Sequence, residues 1–100
     1  MSGYDEQQSH MSVIREHYVF LRDSLDVKSS GLVGELYSKQ ALSAEERDDI
    51  RALKTLVRAN EMLLSVLSRK SPKQFQQFLD ALDNCGQQHV RKVLSDQRGF

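Results

Sequence analysis

Apolar residues recur every three to four positions along most of this 100-residue chain, which is the spacing of one face of an α-helix. The pattern predicts a first helix over about 12–25 and a short second helix that carries the apolar residues of 32–37. Gly31 and Gly34 weaken the second helix, so its stability must come mainly from packing. No segment shows the period of two that a half-buried strand requires, so a β-sheet is not expected.

Two capping boxes indicate where further helices begin. Ser43 is followed three residues later by Glu46, and this spacing predicts a third helix that turns Ile50 and Leu53 inward. Ser71 and Gln74 repeat the arrangement, with Pro72 at the first helical position, where a missing N–H costs nothing. The serines therefore predict the starts of the third and fifth helices.

The remaining helices follow from their apolar stripes. The fourth is the most apolar and is expected to cross the middle of the core. The fifth should end at Gly86 in a left-handed conformation, and a sixth should follow. Short connections between six such helices favour an all-α antiparallel bundle. The apolar residues of these three helices are Leu56, Val57, Leu63, Leu64, Val66 and Leu67, then Phe75, Phe78, Leu79 and Leu82, then Val90, Val93 and Leu94.

Charge and composition narrow the classes of partner. The chain has 14 basic and 14 acidic residues, so bulk attraction to nucleic acid or to an anionic membrane has no support. The balance hides an asymmetry, because residues 1–26 carry a net charge of −3 and residues 54–100 carry +4. Such a chain is able to complement copies or relatives of itself, but the asymmetry alone favours the simpler interpretation of solvated helix faces.

Targeting features are sparse. Cys85 is the only cysteine, so no internal disulfide can form and a reducing compartment is expected. The polar first ten residues are predicted to be a flexible tail, and they lack the apolar run of a signal peptide. No segment has the length of a membrane span. A cytoplasmic location is therefore predicted.

Candidate chemistry is limited. Cys85 and His89 are four residues apart, but Gly86 should break the helix between them, so a thiolate–imidazole pair is not favoured over a structural cysteine. The three histidines and one cysteine show no metal-ligand spacing, and no glycine-rich phosphate loop is present. Neither catalysis nor a cofactor is expected. A helix-turn-helix in the last two helices would be a generic alternative.

Four blocks of the chain, in this order and spacing, resemble the caspase recruitment domain of the death-fold superfamily, above all those of initiator caspases and their adaptors. The resemblance implies a six-helix antiparallel Greek-key bundle over residues 11–96, flanked by a tail over 1–10 and by a tail or linker over 97–100. The blocks are LRDSLDV (21–27), ALSAEERDDI (41–50), LLSVLSRKSPKQFQQFLDAL (63–82) and GQQHVRKVL (86–94).

In this family, function is homotypic docking of one domain's acidic face on a basic face of another. The resemblance implies an acidic face on the second and third helices that comprises Glu35, Glu45, Glu46, Asp48 and Asp49. It implies a basic face of Arg15, Arg22, Lys54 and Arg58, and a candidate assembly corner of Arg69, Lys70 and Lys73. Where caspase-type members often place arginines, this chain has Tyr18, Val57 and Glu61, so the domain is expected to act mainly as an acidic acceptor.

These observations predict a non-enzymatic module that recruits or oligomerises signalling partners in apoptosis or innate immunity. The expected partner is another caspase recruitment domain, from a caspase, an adaptor or a second copy, without nucleic acid, membrane or small molecule. One alternative is the prodomain of an initiator caspase, whose protease part would lie beyond residue 100. A more distant alternative is a small helical nucleic-acid-binding domain, although the Arg69–Lys73 cluster lacks an aromatic platform.

Overall fold

The computed structural model describes residues 10–28 and 30–98, and within these ranges it contains helices and no strand. The prediction of a flexible tail over residues 1–10 lies outside the described residues except for His10, which is helical and buried. Residues 99 and 100 also lie outside them. The helices of the described ranges are α1 (10–16), α2 (Tyr18–Ser24), α3 (Leu32–Ser38), α4 (Ala44–Ala52), α5 (Leu56–Ser68), α6 (Pro72–Asn84) and α7 (Gln88–Arg98).

The all-helical bundle is confirmed, and the difference between six predicted and seven observed helices arises at His17. This residue leaves helical geometry, with φ −108° and ψ 21°. The hydrogen bonds continue on both sides of it, because the His17 N–H bonds to the Val13 carbonyl at 3.1 Å and the Leu21 N–H bonds to the His17 carbonyl at 2.8 Å. Thus α1 and α2 form the predicted first helix with an interruption in its middle.

Both predicted capping boxes are present. The Ser43 hydroxyl accepts from the Glu46 N–H at 3.0 Å, and the Ser71 hydroxyl accepts from the Gln74 N–H at 3.2 Å. In each case the glutamate or glutamine side chain accepts in return from the serine N–H. These reciprocal bonds satisfy backbone donors that a helix start otherwise leaves unpaired, so local sequence fixes the starts of α4 and α6.

Glycine has two different roles at the helix ends. Gly86 follows α6 with φ 78°, as predicted, and the next N–H, that of Gln87, bonds back to the Leu82 carbonyl at 2.8 Å. Gly31 was expected to lie within the second helix, but it stands before α3 as its N-cap, with φ 83°. The left-handed conformation explains this difference, because a helix cannot continue through it.

The core contains the stripes predicted from sequence. The Phe75 and Phe78 rings pack with centroids 5.7 Å apart, and α6 lies against α3 and α7 while α5 lies against α2 and α4. The prediction for Leu56 and Val57 is wrong, because they are 38% and 45% exposed. They occupy the first turn of α5, and burial along this helix begins only at Ala59.

Two buried amides connect distant parts of the chain. Asn60 in α5 donates from Nδ2 to the carbonyls of Arg22 at 2.7 Å and Leu25 at 2.8 Å. Gln87 accepts from the Asp26 N–H at 2.9 Å and donates to the Ser30 hydroxyl at 3.0 Å. The first amide fixes α5 against the end of α2, and the second fixes the α2–α3 loop against the α6–α7 turn.

No helix in the described ranges is long and apolar enough to cross a bilayer.

Candidate functional site

We call Glu35, Glu45, Glu46, Asp48 and Asp49 the acidic surface. Three of these residues share one face of α4, because Glu45, Asp48 and Asp49 are spaced at i, i+3 and i+4. All three are exposed. The capping box at Ser43 sets where α4 begins, and it therefore sets which way this row of carboxylates faces.

Glu46 lies on the same helix, but its carboxylate is already bonded to other residues of the domain. Its carboxylate lies 2.8 Å from the Lys70 ammonium and also closes the capping box with Ser43. Partial burial by itself raises the pKa of Glu46, but the bonds from Lys70 and Ser43 outweigh burial and hold the pKa below its usual range. Glu46 is therefore charged and already paired, which reduces what it can offer a partner.

Two further members of the acidic surface have internal partners. Glu35 accepts from the Asn84 amide at 2.9 Å and lies 3.7 Å from the Lys39 ammonium. Asp48 lies 3.0 Å from the Arg47 Nε, and that guanidinium stacks over the Tyr37 ring at 4.4 Å. Hydrogen bonding to Asp48 raises the pKa of Arg47 above its usual value. Glu45 and Asp49 form no such pair with the described side chains, so the uncompensated negative charge lies on them.

We call Arg15, Arg22, Lys54 and Arg58 the basic surface. The Asn60 bonds hold α2 against α5, so Arg22 lies beside the helix that carries Arg58. Arg22 itself is partly neutralised, because its Nε lies 3.0 Å from Asp23. Hydrogen bonding and charge from Asp23, with a smaller contribution from Glu61, raise the pKa of Arg22. This arginine is a weaker partner-binding candidate than its charge suggests.

The start of α5 is different. Lys54 and Arg58 are exposed and form no ion pair with the described side chains. Arg58 stands in the first turn, next to the positive end of the helix dipole, where a cation is unfavourable for helix stability. The exposed Leu56 and Val57 lie between these two cations in the chain. This turn therefore presents positive charge and apolar surface together.

Arg15 lies apart from that turn. It lines a depression of about 250 Å³ between the first helices and α5, whose other walls are largely apolar. Tyr18 lines the same depression and is half-buried. It stands where caspase-type members of the family that the sequence resembles often have an arginine. The four members of the basic surface thus lie on α1, on α2 and at the start of α5, and not in one cluster.

Comparison with known proteins gave a match to one family model. The family model for the caspase recruitment domain matches residues 11–97 of the chain. The chain belongs to the caspase recruitment domain family. Searches of curated proteins and of solved structures gave no significant match. Caspase recruitment domains are protein-interaction modules, not catalytic domains, and they bind other domains of the same or a related death fold.

In this caspase recruitment domain the predicted assembly corner is only partly available. Lys70 is held by Glu46, and Arg69 donates to the Ser65 hydroxyl at 3.3 Å. Lys73 is exposed and has no ion pair among the described side chains. Arg69 and Lys73 therefore keep their charge at this corner, because a hydroxyl does not neutralise a guanidinium, and Lys70 is the one of the three residues whose charge is offset within the domain.

Cys85 shows no features of an activated nucleophile in this caspase recruitment domain. Burial, and then the charge of Glu35, raise the pKa of the Cys85 thiol, which disfavours the thiolate. The left-handed Gly86 separates it from His89, which is exposed in α7. Among the described residues no group of three or more histidine, cysteine or acidic side chains is placed to hold a metal.

Sequence reasoning missed the exposed apolar pair of the caspase recruitment domain, Leu56 and Val57. It assigned both to the core because α5 is the most apolar of the predicted helices. Thr55 offered a signal, since its hydroxyl caps α5 by accepting from the Arg58 N–H at 3.2 Å. A cap at that position places residues 56 and 57 in the first turn, ahead of the buried stripe.

Proposed function

We propose that this caspase recruitment domain recruits another such domain by charge-complementary docking, with the acidic surface as its main contact. The observation that carries the proposal is the row of Glu45, Asp48 and Asp49, which projects from one face of a well-capped helix. Glu35 and Glu46 contribute less, because each is bonded within the domain, and Asp48 shares its charge with Arg47 although its side chain is 65% exposed. Fixed charges of one sign favour encounter with a basic surface and disfavour wrong partners.

The start of α5 supports the complementary half of this proposal. Lys54 and Arg58 retain their charge, and Val57 provides apolar area beside them. A domain that carries both halves is able to bind a second copy of itself as well as a caspase or an adaptor. By resemblance to the family, we place this recruitment in apoptotic or innate-immune signalling in the cytosol, with no catalytic role for the domain itself.

Charge reversal on α4 tests the proposal. Asp48→Lys with Asp49→Lys should abolish binding to basic-faced recruitment domains, because like charges across an interface cost several kcal/mol. Thermal stability should change by less than about 1 kcal/mol, since exposed charges contribute little to folding. Binding is measured by titration against a panel of recruitment domains from initiator caspases and adaptors, at low and at physiological salt.

The matched control is Asp80→Lys, which reverses an exposed carboxylate on α6 that is not a member of the acidic surface. It should bind like the wild type. Binding by the α4 variant that equals the wild type, or an equal loss in the control, would show that the acidic surface is not the contact. The wild-type affinity should also fall as salt rises, because screening weakens the same charge pairs.

A further inference from the structure

A pair of cations lies outside both charged surfaces. A cavity of about 240 Å³ opens between the α2–α3 loop, α3 and the last turn of α4. Lys28 and Arg51 line this cavity, and both residues are exposed. Its other lining residues are uncharged and comprise Val27, Gly31, Val33, Gly34 and Ile50.

Lys28 is held in place without being neutralised. Its ammonium donates to the Leu53 carbonyl at 2.6 Å, and Leu53 is the C-cap residue of α4. A carbonyl carries only a partial negative charge, so the ammonium keeps most of its own. The bond therefore fixes a positive charge beside the cavity.

Arg51 extends from α4 to α3 and lies close to Gly34. A Cβ atom built at Gly34 would lie 3.4 Å from the Arg51 Nη2, so the guanidinium rests against the α3 backbone at that residue. Arg51 forms no ion pair with the described side chains. The forked donors of its guanidinium are suited to an anion with two oxygen atoms available.

The contrast with other cations of the domain is informative. Among the described side chains, five basic residues lie within 4.0 Å of a carboxylate, namely Arg22, Lys39, Arg47, Lys70 and Arg91. Lys28 and Arg51 instead share one cavity with no carboxylate in its lining. A role at the negative end of the α4 dipole accounts for Lys28, which bonds a terminal carbonyl. Arg51 stands in the last turn of α4 and is favourable there for the same reason, but the dipole does not require the two side chains to line one cavity.

We propose that this cavity binds a doubly charged oxyanion of the phosphate type, held by Arg51 through two hydrogen bonds and by the charge of Lys28. Two uncompensated cations match the charge of a dianion better than that of a single carboxylate. The same phosphoryl chemistry is offered by free phosphate and by a phosphorylated side chain of a partner protein. The site uses neither the acidic nor the basic surface, so it goes beyond the proposed docking function.

The test is a titration of the ¹⁵N-labelled domain followed by its amide resonances. The probes are inorganic phosphate, a phosphoserine peptide with its unphosphorylated counterpart, acetate, and chloride at matched ionic strength. Phosphate should produce saturable shifts at Gly31, Gly34 and Arg51 that chloride does not produce. Tighter binding of the phosphoserine peptide than of free phosphate would identify a protein as the source of the anion, and the reverse order would identify a small molecule.

Variants then connect binding to the two cations. Arg51→Gln and Lys28→Gln should each weaken phosphate binding by about two- to fivefold, the effect expected from losing one exposed charge pair. Arg69→Gln and Lys73→Gln remove the same charges away from the cavity and should leave binding unchanged. Thermal unfolding confirms that each variant is folded.

Three results would overturn the proposal. They are a response to phosphate no different from that to chloride, an equal affinity for acetate, or equal losses in the cavity and control variants. None of these measurements involves a recruitment domain as partner, so failure here leaves the docking proposal untouched.

Discussion

The acidic surface and the start of α5 differ in how much of their formal charge a partner can use. Three of five carboxylates on the acidic surface are bonded to cations or amides of the same domain, as in the Glu46–Lys70 pair at 2.8 Å. At the start of α5, Lys54 and Arg58 have no such partners among the described side chains. The charge that is available to a partner, and not the formal charge, therefore distinguishes the two regions. Local pairs reduce it at Glu35 and Asp48, and long-range packing reduces it at Glu46, which meets a lysine 24 residues away.

The largest expected effect comes from exchanging the charges of the two regions. A domain with Asp48→Lys and Asp49→Lys should fail to bind a wild-type copy through its α4 face. It should recover binding to a copy that carries Lys54→Glu and Arg58→Glu, because the exchange restores attraction that reversal had replaced by repulsion of several kcal/mol. Mixing of differently labelled variants, followed by fluorescence transfer, measures this recovery. If the two charge-reversed variants do not bind each other, the acidic surface of one copy does not contact the start of α5 of the other.

The second-largest effect is expected for Asn60, the buried amide that fixes α5 against the end of α2. Asn60→Ala should lower the free energy of unfolding by about 1–3 kcal/mol, because it leaves the buried carbonyls of Arg22 and Leu25 without their donor. Chemical denaturation monitored by circular dichroism gives this value. Gln77→Ala, at a half-buried amide on α6, is the control and should cost less. Equal costs for both would mean that the Asn60 bonds add nothing to the packing of α2 on α5.

A smaller effect is expected from the apolar half of the α5 turn. Val57→Ser should weaken binding to an acidic-faced domain by about 1 kcal/mol, since it removes apolar area that a partner would bury. It should leave thermal stability almost unchanged, because Val57 is 45% exposed. Titration calorimetry and a melting curve on the same sample provide both values. Val19→Ser, which alters an exposed valine on α2, is the matched control. A loss of stability without a loss of binding would show that Val57 contributes to the core and not to the partner contact.

The smallest effect is one of stability and depends on pH. The pKa of Glu46 lies below its usual 4.5, so its charged form stabilises the folded state above that pH, and this contribution disappears as pH falls through the lowered value. Glu46→Gln should therefore cost up to about 1 kcal/mol at neutral pH and almost nothing in acid. Denaturation at several pH values measures the difference between variant and wild type. A cost that persists in acid would show that the charge of Glu46 is not its source, since glutamine can still close the capping box as Gln74 does.

The sequence predicted the features that depend on neighbouring residues. Ser43 and Ser71 identified two helix starts, Gly86 a helix end, and the Phe75–Leu82 stripe the buried face of α6. It did not predict which carboxylates remain available, because the bonds of Glu46 to Lys70 and of Glu35 to Asn84 join residues far apart in the chain. It also placed Val57 inside, because hydrophobic periodicity describes a helix face but not how far along the helix its neighbours extend.

The Gln87 amide has a consequence for how the domain opens and closes. Its bonds to Asp26 and Ser30 cross 61 and 57 residues of chain, so they can form only after the loop between them has closed. The Asp26 N–H donates to Gln87 and not to a helix carbonyl, so its protection from hydrogen exchange depends on the α6–α7 corner being docked. A single amide in the α2–α3 loop thus reports on the integrity of the opposite end of the sequence.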